Sequence, residues 1–316
     1  MADEFEKIDW LKTRFDLNDD GKKVMVGIGD DAAVMNFGNR PTIVTVDTQV
    51  EGVHFGADLI SCRDLGYRAM VAAASDVWAM AAMPSAAVTA LTLHESFRDE
   101  DFRELIEGLA EAARKTGAQI IGGNLSRGPT LSVTTTVFGW PIAEPITRDG
   151  AIPGDSIYVT GTLGSAALGL AILQAGAIDL EHRARFIERW RRPPTNGHVA
   201  KALASLATAA IDVSDGCLQD LGHVCSASEV GAVLHADALP TDSGYQVACE
   251  KLDLDPVTLA LTGGEDYELL FTARSCTEAA ALGTKIGEIV EGSGVGVIDA
   301  SGHPIVIAKT GFRHFS

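Results

Sequence analysis

Ala209-Ala-Ile-Asp-Val-Ser-Asp-Gly-Cys-Leu-Gln-Asp-Leu-Gly-His-Val-Cys-Ser-Ala227 reads as a short apolar strand, a turn at Gly216 and a helix from Leu218 to Ala227. The two-residue period of a strand puts Asp212 and Ser214 on one face, and Asp215 opens the turn. A helix N-cap with an acidic first turn explains one or two such groups, because the helix dipole favours negative charge there. Three in five residues favour contact with metal and phosphate instead. The strand–turn–helix order makes this an α/β chain with its chemistry at a strand end.

The same alternation extends in both directions. Thr42-Ile-Val-Thr-Val-Asp47 is a β-branched strand ending in an acid. A helix capped by Asp64 runs through Tyr67, Met70, Val71, Val77 and Met80 towards Pro84. Phe102, Leu105, Ile106, Leu109 and Ala113 repeat at helical spacing, and Gly117 supplies the left-handed stop. Strands follow over 119–121 and 131–138. Around Pro141, Pro145 and Pro153 periodicity disappears, which divides the chain into domains at 1–142 and 143–316. Beyond it come a strand over 157–160, helices over 164–175 and 181–191, and strands over 269–273, 285–290 and 304–308.

The 316 residues carry 43 acidic and 25 basic side chains, a formal charge of −18. Such a chain repels nucleic-acid phosphates, and no nucleic-acid partner is expected. Converging carboxylates, by contrast, hold divalent cations. The five cysteines include no CxxC pair, which argues against a disulfide framework or structural zinc and suits a reducing cytoplasm. The charged first residues lack the apolar core of a signal peptide, and the stretch 166–178 is interrupted by Gly169, Gln174 and Gly176, so no membrane partner is expected.

Three further acidic clusters stand beside glycine or at strand ends. Asp30 and Asp31 project from Gly27-Ile-Gly-Asp-Asp-Ala32, where a simple Asx turn is the plainer reading. Asp47 ends its strand. Asp76 sits in an almost wholly apolar segment, and it is either a buried ligand or the cap of a second helix starting at Val77. The turns Ile121-Gly-Gly-Asn-Leu-Ser-Arg-Gly128 and Thr262-Gly-Gly-Glu-Asp-Tyr-Glu268 can cradle phosphate with backbone amides, yet Gly-Gly alone signals only a turn. GxxxxGK[ST], GxSxG and HExxH motifs are absent, which removes P-loop, serine-hydrolase and zincin readings. Many aspartates near glycine turns and no evident nucleophile fit metal-assisted phosphoryl transfer.

Taken together, these segments resemble the thiamine-monophosphate kinases, within the wider group of aminoimidazole ribonucleotide synthetase and selenophosphate synthetase. The resemblance runs through residues 27–32, Asp47-Thr-Gln-Val-Glu-Gly-Val-His-Phe55, Ser75-Asp76, Ile121-Gly-Gly123, Thr147-Arg148, Pro153-Gly-Asp155, Ile211 to Gly216, Asp220 to His223 and Gly263-Gly-Glu-Asp-Tyr-Glu-Leu269. It implies a two-domain α/β fold like that of aminoimidazole ribonucleotide synthetase, with the N-terminal sheet pairing across a homodimer. It implies ATP- and magnesium-dependent phosphorylation of thiamine monophosphate to thiamine diphosphate by direct in-line transfer, in the cytoplasm.

Carried over by position, Asp30, Thr45, Val46 (backbone only), Asp47, Asp76, Asn124, Asp212 and Asp215 would surround several magnesium ions, with Asp30, Asp212 and Asp215 central to catalysis. Gly123, Asn124, Arg148 and Ser214 would contact ATP; His54, Glu265 and Phe312 would hold thiamine monophosphate. Without the resemblance His54 beside Phe55 reads as a packed histidine, and Glu265 and Asp266 as a solvated turn. Trp78, Trp140 and Trp190 read as core or interface residues. The chain departs from the family at Asn124, where aspartate is usual, and at Ala73, where asparagine is common. Phe312 can stack on a ring but donates no hydrogen bond. The alternatives are another ATP-dependent synthetase of the wider group, disfavoured by a cysteine-free N-terminus, and a non-catalytic nucleotide- or metal-binding protein.

Overall fold

The computed structural model describes residues 4–15, 23–38, 40–176, 179–308 and 310–312. The first half holds α1 (Glu4–Arg14), β1 (Val24–Val26), β2 (Ala33–Phe37), β3 (Arg40–Val50), α2 (Cys62–Ala79), β4 (Ala82–Leu93), α3 (Asp99–Thr116), β5 (Gln119–Arg127) and β6 (Ser132–Pro141). Its strands form one six-stranded sheet in the order β1-β2-β3-β6-β4-β5. The second half begins with β7 (Ser156–Val159), α4 (Ser165–Ala175), α5 (Arg183–Arg191), α6 (Gly197–Leu206), β8 (Ala209–Asp212) and α7 (Cys217–Ala227). It continues through β9 (Gly231–His235), α8 (Tyr245–Lys251), α9 (Pro256–Thr262), β10 (Leu269–Ala273), α10 (Thr277–Leu282), β11 (Thr284–Val290) and β12 (Gly294–Ile298). A second six-stranded sheet results, ordered β12-β9-β11-β7-β10-β8. Among the described residues no helix is long and apolar enough to cross a membrane.

Helix α2 organises the site. Fourteen of its eighteen residues are buried, which is what a helix apolar on nearly every side requires. It packs on β3, β4 and β6 of the first sheet and on β8 and β10 of the second. The alternation of the second sheet follows from this. Tyr158, Ala210, Leu269 and Phe271 join the apolar cluster that contains α2, whereas Ile157, Ile211 and Leu270 point into a separate one with Val224 and Leu234. One helix therefore brings side chains from both halves to a single seam. Each large apolar side chain sealed there is worth about 1.5–3 kcal/mol.

Several local expectations change. The cap of α2 is Ser61, whose hydroxyl accepts from the Asp64 amide at 3.1 Å and donates to the Asp64 carboxylate at 2.8 Å. The helix runs past Val77 without a break, so Asp76 is no cap but part of its last turn. Gly117 closes α3 at φ 81°, as its position requires. The segment Ile121 to Arg127 is not a turn; it belongs to the nine-residue edge strand β5. Residues 304–308 form no strand beyond a single bridge from Pro304 to Ile298, and the edge of the second sheet is β12 instead. Glycine at 294 and 296 leaves β12 with little apolar pattern to read.

Candidate active site

Alternation on β3 turns Thr45, Asp47 and Gln49 towards α2. The Thr45 hydroxyl donates to the Asp76 carboxylate at 2.5 Å, which ties strand to helix. Asp212 ends β8 on the far side of α2, and Asp31 stands in the turn between β1 and β2. Carboxylate oxygens of Asp31, Asp76 and Asp212 all lie within 4.8 Å of one another. Arg148, just after the first sheet, grips this corner. Its Nε and Nη2 donate to the two Asp31 oxygens at 3.2 and 3.1 Å, and its backbone amide donates to Asp30 at 3.1 Å. Asp30 also accepts from the Asp31 amide at 2.9 Å.

Burial and mutual repulsion dominate the titration of these groups. Asp212 is pushed up to about 7, by burial first and then by the charge of Asp31. Asp76 is raised well above the ordinary carboxylate range, by burial and then by Asp212. Asp30 rises to about 6 for the same reason, with Asp31 as the repelling neighbour, although Arg148 opposes the shift. Three hard oxygen donors that resist ionising together, with a hydroxyl beside them, suit a divalent cation. A dication would relieve the repulsion that now holds protons in place.

The turn after β8 is held by α7. Asp220 reaches back to accept from the amides of Ser214, Asp215 and Gly216 at 3.1, 3.2 and 3.0 Å, and its carboxyl rises through burial and then the charge of Asp215. Ser214 donates to Asp212 at 3.3 Å. Gln219 donates one amide group to both the Asp215 carboxylate (3.0 Å) and the Phe312 carbonyl (2.9 Å). The Phe312 amide donates to the Asp215 carbonyl at 3.1 Å, so the C-terminal segment is strapped to the acidic turn.

Against this turn lies the segment 263–268. The Glu265 amide donates to the Ser214 carbonyl at 2.7 Å and the Tyr267 amide to the Val213 carbonyl at 2.8 Å. Gly264 is required for the approach, since a Cβ there would stand 2.4 Å from the Ser214 carbonyl oxygen. Each of its acids has partners within the fold. Asp266 accepts from the Gly164 and Ala166 amides at 2.5 and 2.9 Å, which caps α4. Glu268 accepts from Thr160 at 2.5 Å and Arg189 at 2.7 Å. Glu265 accepts from Arg68 and from the Trp190 indole.

These walls enclose a cavity of about 540 Å³ whose lining includes Asp47, Asp76, Asp212, Asp215 and Ser214. Val46, Val53, His54, Ala72, Leu170, Glu265 and Phe312 line it as well. His54 accepts the Val50 amide at Nδ1 (3.0 Å), while Phe55 turns into the core. Trp78 is a core residue, and Trp140 is exposed by 43%. Gly123 and Asn124 do not reach the cavity. Asp47, Thr135, Thr89 and Gly123 are successive partners across β3, β6, β4 and β5. Three interstrand steps separate Gly123 from Asp47 by roughly 14 Å. Asp220, Gln219 and Arg68 carried no assigned role in the sequence; Asp31 read only as part of an Asx turn, and Trp190 only as a core or interface residue. Asp220, four residues past the Gly216 cap of α7, is the one whose spacing could have revealed it.

A family model described as AIR synthase related protein, N-terminal domain, matches residues 29–140. The thiamine-monophosphate kinase of Salmonella typhimurium is 39% identical over 308 residues, 93% of each chain. That of Aquifex aeolicus is 32% identical over 290 residues, covering 91% of this chain and 92% of its own. A solved structure described as AaThiL complexed with AMPPCP and TMP superposes with a TM-score of 0.89 at 30% identity, over 99% of this chain and 97% of the other. The thiamine-monophosphate kinase structure from Stenotrophomonas maltophilia gives 0.76 at 35% identity, over 93% and 96%.

Proposed function

The chain belongs to the thiamine-monophosphate kinases, and from that membership we propose that it moves the γ-phosphoryl group of ATP onto thiamine monophosphate. A phosphate oxygen of thiamine monophosphate forms the new bond to the γ-phosphorus, the bond to the β-phosphate oxygen breaks, and ADP and thiamine diphosphate leave. The observation that carries this reading is the meeting of Asp31 and Asp76 from one half with Asp212 from the other, within 4.8 Å, at the wall of a substrate-sized cavity.

Asp30, Asp31, Asp47, Asp76, Asp212 and Asp215, with the Thr45 hydroxyl and the Val46 backbone, are the groups that would hold magnesium. When bound, the ions screen the charge of the two phosphate groups so that the anions can approach. The protein itself has to position and to exclude water. Ser214 and Arg148 flank the acids on the ATP side, and Arg148 orients Asp31. His54, Glu265 and Phe312 line the same cavity and would hold the organic end of the substrate.

We also propose a homodimer built on the outer face of the first sheet, and a domain division at 142/143 between the two sheets. Val46 is exposed by 61%, and Thr136 and Val88 continue its row across β6 and β4. A second copy paired there offers Gly123 and Asn124 a route to an active site that they do not reach in their own subunit. The free cysteines support a cytoplasmic setting.

Incubation with ATP, magnesium and thiamine monophosphate, followed by chromatography, tests the activity. Thiamine diphosphate should form, free thiamine should not be phosphorylated, and acid-quenched single turnovers with labelled ATP should trap no phosphoprotein. Failure to form thiamine diphosphate overturns the reading.

A further inference from the structure

Arg68 is fully buried in the middle of α2, where a guanidinium without partners would be very costly. Its partners come from three elements. Nε donates to Gln49 of β3 at 3.2 Å, Nη1 to the Trp190 carbonyl of α5, and Nη2 to Oε1 of Glu265. Its charge stacks on the Trp190 ring at 4.9 Å. The Trp190 indole then donates to Oε2 of Glu265 at 2.8 Å. Each oxygen of one carboxylate is thus held by a different buried donor, while the residue lines the cavity. Its backbone sits at φ 69°, in the left-handed region that glutamate rarely adopts.

We propose that Arg68 and Trp190 are positioning residues that aim the Glu265 carboxylate at the organic end of the substrate. The proposal rests on the reading of Glu265 as a substrate contact. A carboxylate has about four lone-pair sites, and two are engaged within the wall. The remaining two are fixed in direction. Because Arg68 neutralises the charge, Glu265 acts as an oriented hydrogen-bond acceptor and not as a free counter-ion. Its complement is an N–H donor, which the aminopyrimidine of thiamine monophosphate carries as its exocyclic amine. The thiazolium cation lacks such a donor. The contact therefore selects an amino-substituted ring and takes no part in phosphoryl transfer.

The test compares Trp190→Phe, which keeps an aromatic ring and deletes the indole donor, with Glu265→Gln and the double variant. Losing one charge-assisted hydrogen bond should raise KM for thiamine monophosphate about tenfold. KM for ATP and kcat should stay within about twofold, since the contact serves ground-state and transition-state binding alike. The double variant should be no worse than Glu265→Gln, and preference over the 4′-oxo analogue of the substrate should fall in all three. A raised KM in Glu265→Gln with none in Trp190→Phe overturns the positioning role alone. No change in Glu265→Gln overturns the substrate contact beneath it. Equal loss for both substrates with a lower kcat marks a structural role and also overturns the proposal. If Trp190→Phe does not fold, Arg68→Lys carries the same readout, because lysine restores the charge without the fork.

Discussion

Replacing Asp76 by asparagine should stabilise the metal-free protein. Asparagine keeps the shape and an acceptor for Thr45 but removes one of three carboxylates whose oxygens crowd within 4.8 Å. At an effective dielectric of ~20, two unit charges at that spacing repel by about 3.5 kcal/mol, and Asp76 faces two such neighbours. The folded chain lowers the repulsion by holding protons. Asp212, pushed up to about 7, binds its proton more tightly folded than unfolded. Its stabilising contribution is complete below an unfolded value of about 3.9 and is lost as pH rises through 7. Asp76 is raised in the same direction, by burial first and then by the charge of Asp212.

At pH 8 with metal chelated, Asp212 is past its value of about 7 and carries its charge beside Asp76 and Asp31. The Arg148 charge beside Asp31 offsets part of the repulsion, which leaves a gain of about 2 kcal/mol for Asp76→Asn. With an unfolding entropy of ~2.1 cal/mol/K per residue, that is about 3 °C in Tm for a chain of this length. Thermal melts in EDTA at pH 8 and pH 5.5 provide the assay. The variant should melt higher at pH 8, and its advantage should shrink at pH 5.5, where protons already relieve the wild type. Millimolar magnesium should reverse the order, because only the wild type retains the full donor set. A variant that melts below wild type in EDTA at pH 8 would refute the electrostatic reasoning.

Val88→Lys puts a charge in the centre of the outer face of the first sheet, next to Thr136 in register. Sedimentation should show monomer in place of dimer, and activity should fall at least tenfold; an active monomer excludes a site completed by a second copy. Asn124→Asp adds a formal charge to a candidate ligand and should lower the magnesium concentration for half-maximal activity, with kcat retained. An unchanged magnesium titration removes Asn124 from the metal site.

How far the sequence could be read depended on the distance over which each feature is determined. The unit from Ala209 to Ala227 was legible because strand period, glycine turn and helix all lie within twenty residues. The core character of α2 was legible as well, since a helix apolar on every side has no solvent face. The acids were not. Asp30 and Asp31 are neighbours on one turn, and which of them faces Asp76 is set by Arg148, 117 residues beyond Asp31. Glu265, Asp266 and Glu268 have the composition of a solvated turn, yet each meets a buried partner from 75 to 197 residues away. Pattern reports periodicity; it carries no record of which distant donor arrives.

The distribution of these partners decides which charges are left for a ligand. Asp266 is engaged by the start of α4, Glu268 by Thr160 and Arg189, and Asp220 by three amides of the turn. Each satisfies backbone or buried cations of the scaffold. Asp76 and Asp212 instead face like charge, and the Arg148 guanidinium donates its hydrogen bonds to Asp31 and to neither of these two. An acidic chain could have scattered its carboxylates into water at almost no cost. Instead it buries these two where they repel each other, in the wall of the cavity. Such a locally unfavourable arrangement persists only where the surrounding fold enforces it, here through α2 packed between two sheets. The strain and the metal site are therefore one feature: whatever relieves the first, by proton, cation or mutation, changes the second.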